Sequence, residues 1–233
     1  MKDSHPAKLS ETLHQRLNAY ALTASAVSAG LISLGQSAQA EIVYKHASKQ
    51  ITPNHTIPLD LNGDSKTDFY IKDSFTCTSF CEYIEGAITV EPGQTQNETM
   101  GFMQRSYHYG SALTAGVRIG PKGQFLEGNA VMVTGGYDAG TTSVGWCAGP
   151  WQNVSKRYLG LKFKISGKTH YGWARLNTTC AKNGENTGVL TGYAYETIAG
   201  KSIIAGKTKG KDVVEVPEPA SLSRLAQGTA GDR

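Results

Sequence analysis

Charge is scarce in this chain. Only 18% of its 233 residues are charged, and the formal net charge is +4. Without a dense Lys/Arg patch, so mild an excess leaves no electrostatic footprint for nucleic acid. Lys207, Lys209 and Lys211 fall in a linker-like stretch and read as solvation. Cysteine is scarce too, with four residues and no CxxC hook, so the paired ligands of a four-thiolate zinc site are missing. After residue 40 there is no apolar run long enough to cross a bilayer and no amphipathic pattern beyond two helical turns. Catalytic signatures are absent as well. There is no HExxH, and the nearest approach to GxSxG, Thr141-Thr142-Ser143-Val144-Gly145, lacks the first glycine. His46, His55, His108 and His170 are scattered, and Glu82 and Glu85 stand three apart in a loop-like stretch. The chain therefore reads as non-enzymatic.

Glycine and tyrosine are plentiful, at 27 and 11 residues. Short strands joined by tight turns suit that composition, whereas a helical bundle needs more Leu, Glu and Lys. Residues 1–40 have the three parts of an export signal. Met1 to Arg16 is polar and slightly basic, Leu17 to Leu34 is weakly apolar, and Ser37-Ala38-Gln39-Ala40 offers small residues for cleavage after Ala40. Asn18, Thr23, Ser25, Ser28 and Ser33 make that run a poor permanent span. The expected destination is secreted, extracellular or periplasmic. The expected organisation is a signal peptide over 1–40, a β-sandwich domain over 41–206, and a linker and tail over 207–233. Cys77, Cys81, Cys147 and Cys180 all follow the export signal, an even count suited to two disulfides in an oxidising compartment. Three pairings are open. The favoured one joins Cys77 to Cys81 and Cys147 to Cys180.

Strand candidates recur along the chain: Ile42 to Tyr44, Ile57 to Leu61, Phe69 to Ile71, Ala87 to Val90, Val131 to Val133, Val189 to Tyr195 and Lys201 to Ile204. The clearest is Tyr158 to Ile165, where Leu159, Leu161, Phe163 and Ile165 alternate with Gly160, Lys162 and Lys164. That period of two predicts a strand with one buried face. A Ser-Gly turn then predicts a hairpin into Thr169 to Leu176. The fold class this implies is all-β, an antiparallel sandwich or jelly roll.

One spacing carries ligand chemistry. In Asp60-Leu61-Asn62-Gly63-Asp64-Ser65-Lys66-Thr67-Asp68, side-chain oxygens stand at positions one, three, five and nine, and the Lys66 carbonyl can serve at seven. Alternate oxygens wound inward suit calcium. Position twelve is Ile71, so the loop is not an EF-hand; an ordinary Asx-rich turn uses the same residues. The loop resembles the DxNxDxxxD loops of secreted repeat and adhesion proteins, with Ser65 where glycine is usual. Trp146 and Trp151 bracket Cys147, and two indoles in a loop pinned by a disulfide would stack on sugar rings or else cap the core. Tyr107 and Tyr109, flanking His108, could line a similar surface. Four Asn-x-Ser/Thr sequons occur, at Asn54, Asn97, Asn153 and Asn177.

Two further segments add a resemblance. Tyr171-Gly172-Trp173-Ala174-Arg175-Leu176 and Tyr193-Ala194-Tyr195-Glu196, together with the DLNGD loop, resemble a large family of uncharacterised exported bacterial proteins. Val216-Pro217-Glu218-Pro219-Ala220-Ser221-Leu222 is similar to the start of a PEP-CTERM sorting signal. Arg224 and Gln227 interrupt the apolar helix that normally follows, so the tail reads as degenerate. The resemblance covers most of the chain and is almost silent about activity; taken with the oxygen spacing and the paired cysteines, the leading expectation is a calcium- and disulfide-stabilised envelope or extracellular protein whose partners are polysaccharide or envelope components. A carbohydrate-binding module using Trp146 and Trp151 is the alternative, and an envelope hydrolase comes third.

Overall fold

A computed structural model describes residues 41–78, 81–138 and 144–209. The expected signal peptide and most of the expected tail lie outside the described residues. Among those described, the strands in chain order are β1 (Ile42–Ile51), β2 (Thr56–Leu59), β3 (Phe69–Cys77), β4 (Tyr83–Pro92), β5 (Glu98–Gln104), β6 (Tyr107–Gly110) and β7 (Arg118–Ile119). They continue with β8 (Phe125–Leu126), β9 (Ala130–Asp138), β10 (Val144–Ala148), β11 (Val154–Ile165), β12 (Lys168–Thr179), β13 (Thr187–Glu196) and β14 (Ile203–Ile204). The protein is all-β, with no α-helix among the described residues.

The hydrogen-bonded path runs β1-β13-β12-β11-β5-β6-β9-β4-β3-β2, with β10 added to β9 and β8 to β5. Strand β5 belongs to both halves. Its Glu98 and Thr99 pair with β11, while Gly101 to Gln104 pair with β6. The path's two ends, β1 and β2, are consecutive in sequence across the Thr52–His55 turn, so the sandwich curls almost into a barrel. Pairing is antiparallel except between β6 and β9, which meet in parallel at Tyr109 and Val131. That parallel contact is where the fold departs from a purely antiparallel sandwich.

Strand β11 shows why the alternation was informative. Leu159, Leu161 and Phe163 are fully buried in the main core, together with Phe69, Ile71, Ile88, Val90, Leu176 and Leu190 from other strands. Its turn into β12 is the two-residue Ser166-Gly167 loop, with φ of 48° and 78°. Both values are positive, the type I′ geometry that matches strand twist. The opposite face of this half is covered as well. A second cluster of Ile42, Ile119, Tyr158, Tyr171, Trp173, Ala194, Ile203 and Ala205 packs there, with the Tyr158 and Trp173 rings edge to face at 5.1 Å. The two family-like segments are direct neighbours, with Gly172 opposite Tyr195, Trp173 opposite Ala194 and Ala174 opposite Tyr193.

Both disulfides are formed, Cys77 to Cys81 and Cys147 to Cys180, and no described cysteine is free. The first closes the tip between β3 and β4. The second joins β10 in one half to the end of β12 in the other. After Cys180 the chain lies flat across β4 and β9. The Gly184 carbonyl passes so close to Gly86 that a Cβ there would stand 1.8 Å from it. Asn186 fastens this strap, donating from Nδ2 to the Gly86 carbonyl at 2.8 Å.

Candidate functional site

The acidic loop leaves β2 at Leu59 and returns to β3 at Phe69, and it is wound by its own side chains. Asp60 accepts from the N–H groups of Gly63 at 2.6 Å and Ser65 at 2.9 Å. Asn62 accepts from Asp64, and Asp64 accepts from Lys66. Gly63 and Ser65 hold φ of 82° and 68°, so Ser65 takes the left-handed backbone that glycine would adopt freely. Asp68 turns inward, 3% exposed, and accepts from the Leu61 N–H at 2.8 Å. Burial, and then repulsion from Asp60 and Asp64, push its carboxyl up to about 6, against the opposing pull of the Leu61 N–H and Lys45. Asp64 is fully exposed and shifts the other way, held below the usual range first by the Lys66 N–H.

The donors are all oxygens, which suits a hard cation in kind. In arrangement the carboxylates do not close on one point. Among the described residues, no group of three or more His, Cys, Asp or Glu is gathered to hold a metal. Lys45 brings a cation to the edge of the loop, with its Nζ 3.0 Å from where a Gly63 Cβ would stand and 5.7 Å from the centre of the Tyr193 ring.

The two tryptophans part company, which corrects the expectation of a paired sugar platform. Trp151 is 0% exposed. Its indole N–H donates to the Gly110 carbonyl at 2.8 Å, and its own carbonyl accepts from the Thr178 hydroxyl. No sugar can stack on it. Trp146 lies on β10, not in a loop, and its ring covers Gly136 on β9. Two indoles flanking one cysteine looked like a pair in sequence because nothing there revealed that one faces the core.

A different aromatic group is presented to solvent. On the β5–β6 hairpin, Phe102 stands directly opposite Tyr109, with ring centroids 5.7 Å apart and planes 22° from parallel. Tyr107 lies two residues along the same strand face, 6.4 Å from Tyr109. Phe102 and Tyr107 are exposed, and the three rings line a cleft of about 550 Å³ whose far wall is Ala148, Gly149 and Pro150. Tyr107 and Tyr109 were legible as candidates. Phe102 was missed because the segment Glu98 to Gln104 lacks the apolar alternation that announces a strand.

The remaining polar candidates are engaged in structure. All four sequon asparagines use their side-chain carbonyls on backbone amides: Asn54 on Phe75, Asn97 on Lys164, Asn153 on Cys180 and Asn177 on Lys156. His170 is buried with Nδ1 3.0 Å from the Glu196 carbonyl. The Glu196 carboxylate accepts from Ile198 and pairs with Lys201 at 3.4 Å. Asp73 is one exception among several buried polar groups, His108 included. It is 1% exposed, and no hydrogen bond reaches either carboxylate oxygen. Glu82 and Glu85 share no site: Glu85 accepts from the Tyr83 hydroxyl at the surface. No helix among the described residues is long and apolar enough to cross a membrane.

Compared with known proteins, the chain matches no family model, no curated protein and no solved structure.

Proposed function

We propose that the protein is an exported, non-enzymatic component of the cell envelope or extracellular space, a β-sandwich braced by two disulfides and a structural calcium ion. The observation that carries this reading is the Cys147–Cys180 bridge, which ties one half of the sheet to the other. Disulfides of this structural kind persist in oxidising compartments and are rare where thiols are kept reduced. The signal-like residues 1–40 and the likeness of the DLNGD, GWARL and YAYE segments to exported bacterial proteins support the same destination. The non-enzymatic part rests on the polar groups themselves, since His170 and Glu196 are committed to backbone and ion-pair partners.

Calcium enters this reading as a brace. Asp60, Asn62, Asp64, the Lys66 carbonyl and Asp68 would hold it after a modest tightening of the loop. What supports it is the oxygen spacing, together with the upward push on the Asp68 carboxyl from burial and then from Asp60 and Asp64, which a divalent ion would offset.

The test is expression of the full chain in a bacterium, followed by fractionation, N-terminal sequencing and thiol titration. The expected product is extracytoplasmic, begins at Glu41 and contains no titratable thiol. Full-length protein found soluble in the cytosol with reduced cysteines would overturn the reading.

A further inference from the structure

The β5–β6 hairpin presents hydrophobic surface that the fold does not need. Phe102, Met103 and Tyr107 are 37%, 53% and 59% exposed at the end of a strand pair whose inner positions are buried. Exposed rings cost solubility, and grouping the exposed Phe102 and Tyr107 with the half-buried Tyr109 on one strand face marks a binding surface. The grouping follows from register. Phe102 and Gln104 on β5 share a face with Tyr107 and Tyr109 on β6, because Phe102 pairs with Tyr109 and Gln104 with Tyr107. The turn between them is Arg105-Ser106, and the left-handed backbone of Arg105, φ 54°, makes it tight.

The rings form a shallow floor, not a pit. Phe102 and Tyr109 stack with their planes 22° apart, and Tyr107 tilts 52° to Tyr109 at the end of the row. A floor of this form accepts the flat C–H face of a pyranose ring, while the tyrosine hydroxyls and Gln104 remain at its edge to meet sugar hydroxyls. The volume, about 550 Å³, lies within the range of small-ligand sites and is open enough to pass a polymer. The opposite wall is held from behind. Trp151 is buried and bonded to Gly110 at the end of β6, so Gly149 and Pro150 are fixed relative to the aromatic hairpin.

Charge narrows the ligand. Arg105 lines this cleft, is exposed, and has no ion-pair or hydrogen-bond partner among the described residues. Among the described residues, no acidic side chain lines the cleft. A guanidinium with free donors beside aromatic faces suits a carboxylate carried on a sugar ring, because the planar fork accepts both carboxylate oxygens.

We propose that the cleft between the β5–β6 hairpin and Pro150 binds an acidic polysaccharide, with uronate rings stacked on Phe102, Tyr109 and Tyr107 and a carboxylate paired with Arg105. This deepens the envelope reading, since a polymer of that chemistry is met outside the cell, but its test does not depend on where the protein is found.

The experiment is affinity electrophoresis and calorimetry on the purified, oxidised protein with polygalacturonate and alginate, and with neutral dextran for comparison. The wild type is expected to bind the uronate polymers and to prefer them to dextran. Tyr107→Ala and Phe102→Ala should each weaken binding by about tenfold, the scale of one lost ring contact. Arg105→Gln should remove the preference for uronates and the salt dependence of binding. Tyr83→Ala, which removes an exposed ring on β4 away from the cleft, should change nothing. Each variant's melting temperature must stay near the wild type's, which its exposed position makes practicable. Failure of the wild type to bind any uronate polymer would overturn the proposal, as would binding that survives all three cleft variants or equal binding to dextran. Self-association abolished by Tyr107→Ala, without polysaccharide binding, would assign the surface to a second copy of the chain and overturn it too. An extracytoplasmic protein that binds no uronate would leave the envelope reading standing and remove only this inference.

Discussion

Asp73 offers a direct test of how this core handles charge. It sits on β3 opposite Ile88, on the inward face that also carries Phe69 and Ile71. Neither carboxylate oxygen has a hydrogen-bond partner, and burial pushes the carboxyl up to about 7, with the nearby Asn54 backbone amide offsetting only part of this. The folded value lies above the unfolded one, near 3.9. The folded state therefore holds a proton that the unfolded state gives up once pH exceeds about 4, and stability falls as pH rises from there to the folded value. At about 1.4 kcal/mol per pH unit, ionisation costs on the order of 4 kcal/mol above pH 7, with about 2–3 kcal/mol of that lost between pH 5 and pH 8. Asp73→Asn keeps the shape and removes the charge. The assay is urea unfolding of wild type and variant across pH 5 to 8. Asp68, pushed up to about 6, also titrates in this window, so the informative quantity is the difference between the two proteins. The variant should be more stable than the wild type by about 1–2 kcal/mol at pH 5 and by about 4 kcal/mol at pH 8, so that the gap widens by about 2–3 kcal/mol across the window. Parallel stability curves would show that Asp73 reaches water or a partner when ionised, and would refute the account of its burial.

Four other perturbations probe the remaining supports. Replacing Cys147 and Cys180 with serine opens a span of 33 residues, and should cost about 3–4 kcal/mol and roughly 7–15 °C in melting temperature; a change under 2 °C would show that the bridge is idle. Gly86→Ala drives a methyl against the Gly184 carbonyl and should cost about 3 kcal/mol by displacing the strap, measured by thermal unfolding. Trp151→Ala should cost about 3–5 kcal/mol, while Trp146→Ala costs about 1 kcal/mol, so equal losses in urea unfolding would contradict the assigned burial. Calcium at about 10 mM should raise stability by about 1–3 kcal/mol if the loop binds with a dissociation constant of about 0.1–1 mM, and Asp64→Ala should abolish the rise; a wild-type melting temperature indifferent to both calcium and chelator would remove the ion from the proposal.

Strands whose side chains divide cleanly between core and solvent were legible in the sequence. Leu159, Leu161 and Phe163 are the plainest case, and the Ser166-Gly167 turn announced the hairpin that follows. Strands β5, β6, β7, β8 and β10 were not. Two of these are two residues long, too short for any periodicity. Strand β5 buries the polar Thr99 and exposes Phe102 and Met103, so its apolar residues do not mark the buried face. Three cysteine pairings were open in the sequence, and the favoured one, in which the close pair closes a loop tip and the distant pair is left to each other, is the one formed. The aromatic cleft was only half legible. Tyr107 and Tyr109 show a two-residue period, but the register that places Phe102 beside Tyr109 exists only once β5 and β6 pair. Capping of the core was one of the two readings open for the indoles, and what the sequence did not show is that Trp151 alone would be fully buried, bonded to a carbonyl 41 residues away.

The covalent brace and the aromatic cleft are parts of one arrangement. Cys147 is on β10, and one residue further along the chain begins the Ala148-Gly149-Pro150 wall. The same bridge fixes Cys180, whose N–H is held by Asn153 just beyond Trp151. The wall is thus tied at one end by sulfur and at the other by the indole bonded to Gly110, where β6 ends. The floor is tied separately, through β5's membership of both halves of the sheet. A cleft whose floor and wall are fixed independently loses little conformational entropy when a ligand enters, which matters most for polysaccharides because each ring offers few strong contacts. If the proposed compartment and ligand both hold, oxidation at Cys147 links them: where the bridge cannot form, one anchor of that wall is gone while the rings of the hairpin remain in place.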